Sequence, residues 1–172
     1  TPPPAGTRAW RILYRSTTVG DQPVAVSGVL LVPDPLPAAR PVPILGVAHG
    51  TTGLGDQCAP SRLPLGRSEA GLLPKEVTSR YVVAATDYEG LGTPGVHPYV
   101  VGLSEGRDVL DAIRAAQRFG GAGTSATSRS VMWGHSQGGG ASLFAAELAP
   151  TYAPDANLAG VAAGAPAAEL KL

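Results

Sequence analysis

Four short runs in this chain are apolar on consecutive residues: 44–48 (ILGVA), 81–85 (YVVAA), 130–133 (SVMW) and 158–163 (LAGVAA). A strand with one wet face alternates apolar and polar residues. These runs do not, so each suits a central strand buried on both faces of a parallel sheet. Parallel neighbours need long crossovers, and helical stretches lie between the runs. Residues 104–118 place Val109, Ala112, Ile113 and Ala116 on one face, with Asp108, Asp111, Arg114 and Arg118 elsewhere around the turn. Ser104 reads as the N-cap of this helix, and Gly120-Gly121 stops it. Residues 137–148 form a second helix rich in Gly and Ala, and 67–79 a weaker one broken by Pro74.

Upstream the pattern differs. Residues 1–7 are a Pro-rich lead-in. Residues 8–18 and 24–32 are rich in β-formers and separated by Gly20-Asp21-Gln22-Pro23, which predicts an antiparallel hairpin. Five prolines between 33 and 43 make that stretch a loop. The whole order predicts one α/β domain over residues 1–172, with antiparallel strands at the N-terminal edge of a mostly parallel sheet.

Composition narrows the function. Thirteen basic and thirteen acidic residues balance, so there is no electrostatic footprint for nucleic acid and no polybasic membrane patch. No apolar run approaches the roughly 18–20 residues of a membrane span. Three dispersed histidines and one cysteine lack metal-ligand spacing, and there is no phosphate-binding loop, so no metal or cofactor is expected. The start Thr1-Pro2-Pro3-Pro4, without Met, fits the mature end left by signal removal, or an artificial start.

The pattern G-x-S-x-G occurs at Gly102–Gly106 and again at Gly134–Gly138. It carries catalytic meaning only between a strand and a helix, where it forces the serine onto a sharp turn. His97-Pro98-Tyr99-Val100-Val101 is too short and Pro-broken for a central strand, so Ser104 is set aside as a helix cap. The second copy follows the apolar run 130–133 and opens a small-residue helix. Ser136 is therefore the candidate nucleophile, with positive potential from the helix N-terminus beneath it. An ordinary serine in a Gly-rich turn is the plainer alternative.

Cleavage of an ester creates an oxyanion that needs donors already aimed at it. The backbone N–H of Gln137 is one candidate. The other belongs to the loop His49-Gly50-Thr51-Thr52-Gly53, at Thr52 or, second, at Thr51.

Beyond these turns the chain resembles the secretory lipases, the fungal lipase A type and its bacterial relatives. The matching residues are Tyr14-Arg15-Ser16, Ser27-Gly28, the 49–53 loop, Cys58-Ala59-Pro60-Ser61, Thr86-Asp87-Tyr88-Glu89-Gly90, Glu105-Gly106-Arg107-Asp108 and GHSQGG. The resemblance implies the N-terminal portion of an α/β-hydrolase fold, a secreted enzyme and carboxylic ester substrates. It implies that a helical cap and the strands bearing the triad Asp and His follow beyond Leu172. It also implies a disulfide from Cys58 to a cysteine in that later polypeptide. Thr52 is a departure, because fungal relatives can carry an acidic residue there.

The remaining polar residues are weighed for the substrate side. His49 reads first as a brace for its loop and His135 first as structural, pointing away from the reacting side. Asp87 reads equally as turn or ligand-proximal; these and Gly50 are the further candidates to line the substrate. His97 reads as surface or a substrate contact, and Glu89 as turn or ligand. The carboxylates after Ser136 are Glu147, Asp155 and Glu169, and no histidine follows His135. The chain order nucleophile, acid, histidine is thus incomplete within 1–172. Two expectations follow: an esterase or lipase completed by a C-terminal segment or chain, or an inactive hydrolase-like fragment or binding module.

Overall fold

The computed structural model describes residues 2–168. Six strands form one sheet in the order β1-β2-β4-β3-β5-β6. They are β1 (Thr7–Thr17), β2 (Pro23–Pro33), β3 (Ile44–Ala48), β4 (Val82–Thr86), β5 (Ser130–His135) and β6 (Leu158–Gly164). The expected hairpin is present: β1 and β2 pair antiparallel from Thr7 opposite Pro33 to Thr17 opposite Pro23. β2 continues antiparallel onto β4, while β4, β3, β5 and β6 run parallel. The unbroken apolar runs explain the central strands, but 158–163, expected to be central, is corrected: β6 lies at the edge of the described sheet with Ala159, Gly160 and Ala162 exposed. Every residue of β3 and β4 is buried, which only interior positions of a two-sided sheet permit.

Three helices follow the chain: α1 (Lys75–Thr78), α2 (Gly102–Arg118) and α3 (Gln137–Tyr152). Alternate residues of each strand divide the core. Val26, Leu30, Ile44, Val82, Ala84 and Met132 pack with α2 and α3 through Val109, Ile113, Ala141 and Ala145. Val29, Leu31, Leu45, Val47, Val83 and Ala85 meet Ala70, Leu65, Leu73 and Val77 on the other face.

Three helical expectations are revised. The stretch 67–79 is not one helix but 3-10 turns at Leu65–Arg67 and Ala70–Leu72, then α1. Pro74 breaks it, and Gly71 lies so close to the Leu65 carbonyl that a Cβ there would collide. α3 runs past 148 to Tyr152 despite Pro150, whose missing N–H forgoes only the single bond to the Ala146 carbonyl. Tyr152 is also anchored: its hydroxyl donates to Asp111 Oδ2 at 2.6 Å, and its carbonyl accepts from Arg114 at 2.9 Å. Ser104 is not a cap. α2 begins at Gly102 after an extended Val101, and the buried Ser104 hydroxyl donates to Glu89 Oε2 at 2.6 Å. The first turn is closed instead by Glu105, whose carboxylate accepts the Val100 N–H at 2.9 Å.

The tightest packing lies where α3 leaves β5. A Cβ on Gly138 would fall into the Ala48 carbonyl of β3, and one on Gly134 into the Gly138 carbonyl. Backbone thus rests on backbone, which only glycine allows. Gly138→Ala is expected to cost about 3 kcal/mol or more in urea unfolding. Gly66→Ala, where a Cβ meets nothing within 4 Å, should stay within about 0.5 kcal/mol.

α2 also carries Asp108 into the interior, fully buried, with Oδ2 accepting the Glu89 N–H at 2.8 Å. Burial raises its carboxyl from an ordinary 3.8 to about 8. The native state therefore binds a proton that the unfolded chain has lost. The stability this contributes is complete below about 3.8 and is lost as pH rises through about 8. Asp108→Asn should flatten that fall, by up to ~1.4 kcal/mol per pH unit in denaturant titrations between about pH 5 and 8.

Candidate active site

The C-terminal ends of β3, β4 and β5 carry the residues of interest. Ser136 stands between β5 and α3 with φ 54° and ψ −117°. A serine outside the normal regions costs energy and persists only where its surroundings hold it. Here its N–H donates to the Gly164 carbonyl of β6 at 2.9 Å, and its own carbonyl accepts from Gly140 and Ala167, each at 3.1 Å. The side chain is partly exposed above the first turn of α3, whose free N–H groups favour negative charge.

The 49–53 loop lies directly beside this turn. A Cβ on Gly50 would come within 3.3 Å of the His135 carbonyl oxygen. Gly50 donates its N–H to Glu69 Oε2 at 3.3 Å, so that donor already has an acceptor. Thr51 and Thr52 are exposed. The Thr51 hydroxyl is engaged with Tyr99 Oη at 2.8 Å, whereas the Thr52 hydroxyl has no partner among the described residues. Gly53, at φ 128°, packs against Cys58 Sγ, so the single cysteine buttresses the same loop.

Two of the substrate-side candidates are buried. Asp87 is 1% exposed, and its oxygens are both occupied. Oδ2 accepts from the Ser27 hydroxyl at 2.6 Å and Oδ1 from the Ser61 N–H at 2.8 Å. The carboxylate ties β2 to the CAPS segment. His49 is buried likewise; Nδ1 lies 2.6 Å from the Gly50 carbonyl and Nε2 3.3 Å from that of Asp87. Burial lowers its basicity, so the ring is neutral and its proton is committed to the shorter contact. This is the bracing role weighed first from the sequence. His135 is half-exposed, with Nδ1 3.7 Å from Glu69 Oε1.

His97 is a further correction: it is neither surface nor open to substrate. The ring is buried, Nδ1–H donates to the Glu89 carbonyl at 2.9 Å, and Nε2 accepts from the Gln137 amide at 3.1 Å. Burial again pushes its pKa down. The Gln137 amide also donates to Glu105 Oε1 at 2.7 Å. His49, Tyr88, His97 and Tyr99 form a ladder of rings with successive centroids 4.5, 5.8 and 6.1 Å apart. The Tyr88 hydroxyl donates to the His49 carbonyl at 3.0 Å. Sequence reasoning passed over Glu105, Glu69, Tyr88 and Tyr99. Glu105 and Tyr88 occur within the Glu105–Asp108 and Thr86–Gly90 motifs, but nothing local assigns them a partner.

Among the described residues no histidine ring is hydrogen-bonded to Ser136 Oγ. Of the later carboxylates, Glu147 is exposed on α3, and Asp155 is held by Arg114 at the opposite end of the sheet, with contacts of 2.8 and 2.5 Å. Glu169 lies outside the described residues. No helix among the described residues is long and apolar enough to cross a membrane.

Comparison with known proteins agrees with this layout. The chain is 30% identical over 97% of its length to a probable inactive lipase of Mycobacterium tuberculosis, of which it spans 39%. It is 32% identical over 91% of its length to a secreted triacylglycerol lipase of Malassezia globosa, spanning 35% of it. Among solved structures, the rice cell wall degrading esterase of Xanthomonas oryzae superposes with a TM-score of 0.73 at 27% identity, over 91% of this chain and 42% of that one. Candida antarctica lipase A in its closed state gives 0.73 at 24% identity, over 93% and 39%. The fold is that of the α/β-hydrolases, and the chain spans little more than a third of the curated relatives it matches. The secretory lipase family model matches residues 67–171, from the 3-10 turns before α1 through both helices and the Ser136 turn, and the chain belongs to that family.

Proposed function

We propose that this chain is the nucleophile-bearing N-terminal part of a secreted carboxylic ester hydrolase. The observation that carries the reading is Ser136 at φ 54° between β5 and α3, beside the His49–Gly53 loop. Ser136 Oγ attacks the ester carbonyl carbon and loses its proton to a histidine base. The C–O bond to the alcohol breaks, the base returns the proton to the leaving oxygen, and water then hydrolyses the acyl-serine. The Gln137 N–H and an N–H of Thr52 or Thr51 hold the oxyanion at both tetrahedral stages. Thr52 suits this better than Gly50, whose N–H is engaged by Glu69.

The acid and the histidine come from polypeptide outside residues 1–172. Two features of the surface support such a completing segment. β6 is the edge strand, with Ala159, Gly160 and Ala162 exposed. On the sheet face away from α2 and α3, a groove of roughly 780 Å³ is lined by Leu45, Leu72, Val131, Trp133 and Ala162. Apolar surface of this kind is normally covered in a folded protein. The second reading, a fold of this family without turnover, is favoured by one relative's description as a probable inactive lipase.

A fluorophosphonate probe separates the two readings. In the native preparation, with any companion chain present, Ser136 Oγ should displace fluoride and become phosphonylated. Ser136→Ala should abolish both labelling and short-chain ester hydrolysis, a loss on the order of 10⁶ in kcat. Absence of labelling in that preparation would favour the inactive reading.

A further inference from the structure

Glu105 is buried in the first turn of α2 with no cation beside it. The nearest ring nitrogen is His97 Nε2 at 3.9 Å, and its proton-free state is set by the bonds already described. A carboxylate in such a place is unfavourable unless its hydrogen bonds compensate. One oxygen, Oε1, receives two. The first comes from the Gln137 amide at 2.7 Å, the second from the Val100 N–H at 2.9 Å. Val100 is β-branched and sits at φ 55°, a conformation such residues almost never adopt without external restraint.

These two donors lie on opposite sides of the Ser136 turn. Gln137 is the residue after the serine. Val100 belongs to the 94–101 loop, which carries Tyr99 to the Thr51 hydroxyl and His97 to the Gln137 amide. Both amide hydrogens of Gln137 are thereby committed, one to Glu105 and one to His97. Both bonds hold the Gln137 side chain in place beside Ser136.

Resting on the reading of Ser136 and Gln137 above, we propose that Glu105 is a positioning residue. Through one buried oxygen it clamps Gln137 and the Val100 loop together and so holds the N–H groups of Gln137 and the Thr51-Thr52 segment in register. It touches no substrate. Its charge strengthens both bonds relative to a neutral acceptor.

Burial raises the Glu105 carboxyl to about 7. From the 87–101 segment it faces Tyr88, whose hydroxyl pKa burial raises, and His97, whose pKa burial lowers. Gly140, Ala141 and Phe144 of α3 are not ionisable. Protonation of Glu105 leaves a weaker, uncharged acceptor for the Gln137 amide.

The test uses the native preparation and two variants. Glu105→Ala removes the clamp and should lower kcat for a short-chain ester 10–100-fold with KM within about twofold, since only a transition-state contact is misaligned. Glu105→Gln keeps an acceptor oxygen and should stay within about fivefold of the parent kcat. Independently of activity, the Gln137 side-chain amide signals in 15N-labelled Ser136→Ala protein should shift with a midpoint near pH 7. They should not titrate when Glu105→Gln is added. A Glu105→Ala enzyme of unchanged kcat, or amide signals that ignore pH in the presence of Glu105, would overturn the proposal. Hydrolysis surviving in Ser136→Ala would sink the nucleophile reading instead, while the amide titration would still report on the clamp.

Discussion

The structure depends on one close approach, that of the first turn of α3 to the ends of β3 and β5. Backbone lies against backbone at Gly138 and Ala48, and again at Gly134 and Gly138. No Cβ fits either place. This contact leaves Ser136 no room for an ordinary turn and drives it to positive φ. It also sets the N-terminus of α3 beneath the serine and the His49–Gly53 loop beside it. The same residue-by-residue economy continues along α3. A Cβ on Gly140 would press on the Ala167 carbonyl, and one on Gly139 on that of Gly164, so the strand exit of β6 is seated on glycine too.

Around this contact the interior is unusually polar. Asp87, Glu105, Asp108, His49 and His97 are all buried, and each is held mainly by backbone groups or neutral side chains. Buried polar groups that are paired rigidify their surroundings, and of these only Asp108 keeps a buried oxygen, Oδ1, without a partner among the described residues. The pairing is local to the C-terminal ends of the strands, where loops without regular structure would otherwise have to be ordered by packing alone. Rigid loops are what an oxyanion site requires, because donors that must reorganise during reaction lose their advantage. The opposite end of the sheet is tied differently, by ion pairs: Arg114 joins the buried Asp111 and the exposed Asp155 there.

Much of the fold was legible in order and spacing. The four double-faced apolar runs located β3 to β6 to within about two residues, and the Gly20–Pro23 turn located the hairpin. Ser136 was legible because strand, glycines and helix follow one another without a gap. The 67–79 segment was not, since periodicity there was weak and short 3-10 turns leave no repeating signature. Asp87 and His97 could not be placed from the sequence for a common reason. A polar residue in a loop after a strand reads the same whether its side chain turns outward to a ligand or inward to a backbone partner.

The sequence by itself determined the sheet, its sense and the turn that bears Ser136. Those follow from local pattern: apolar runs that need two covered faces, and glycines spaced for a strand-to-helix corner. Only the tertiary structure decided which polar side chains meet. Glu105 and Gln137 are 32 positions apart, His97 and Gln137 are 40, and Asp87 reaches Ser27 across 60. Such partnerships arise when separate loops converge on one end of a sheet. Their energy depends on distances and burial that no local stretch of chain encodes.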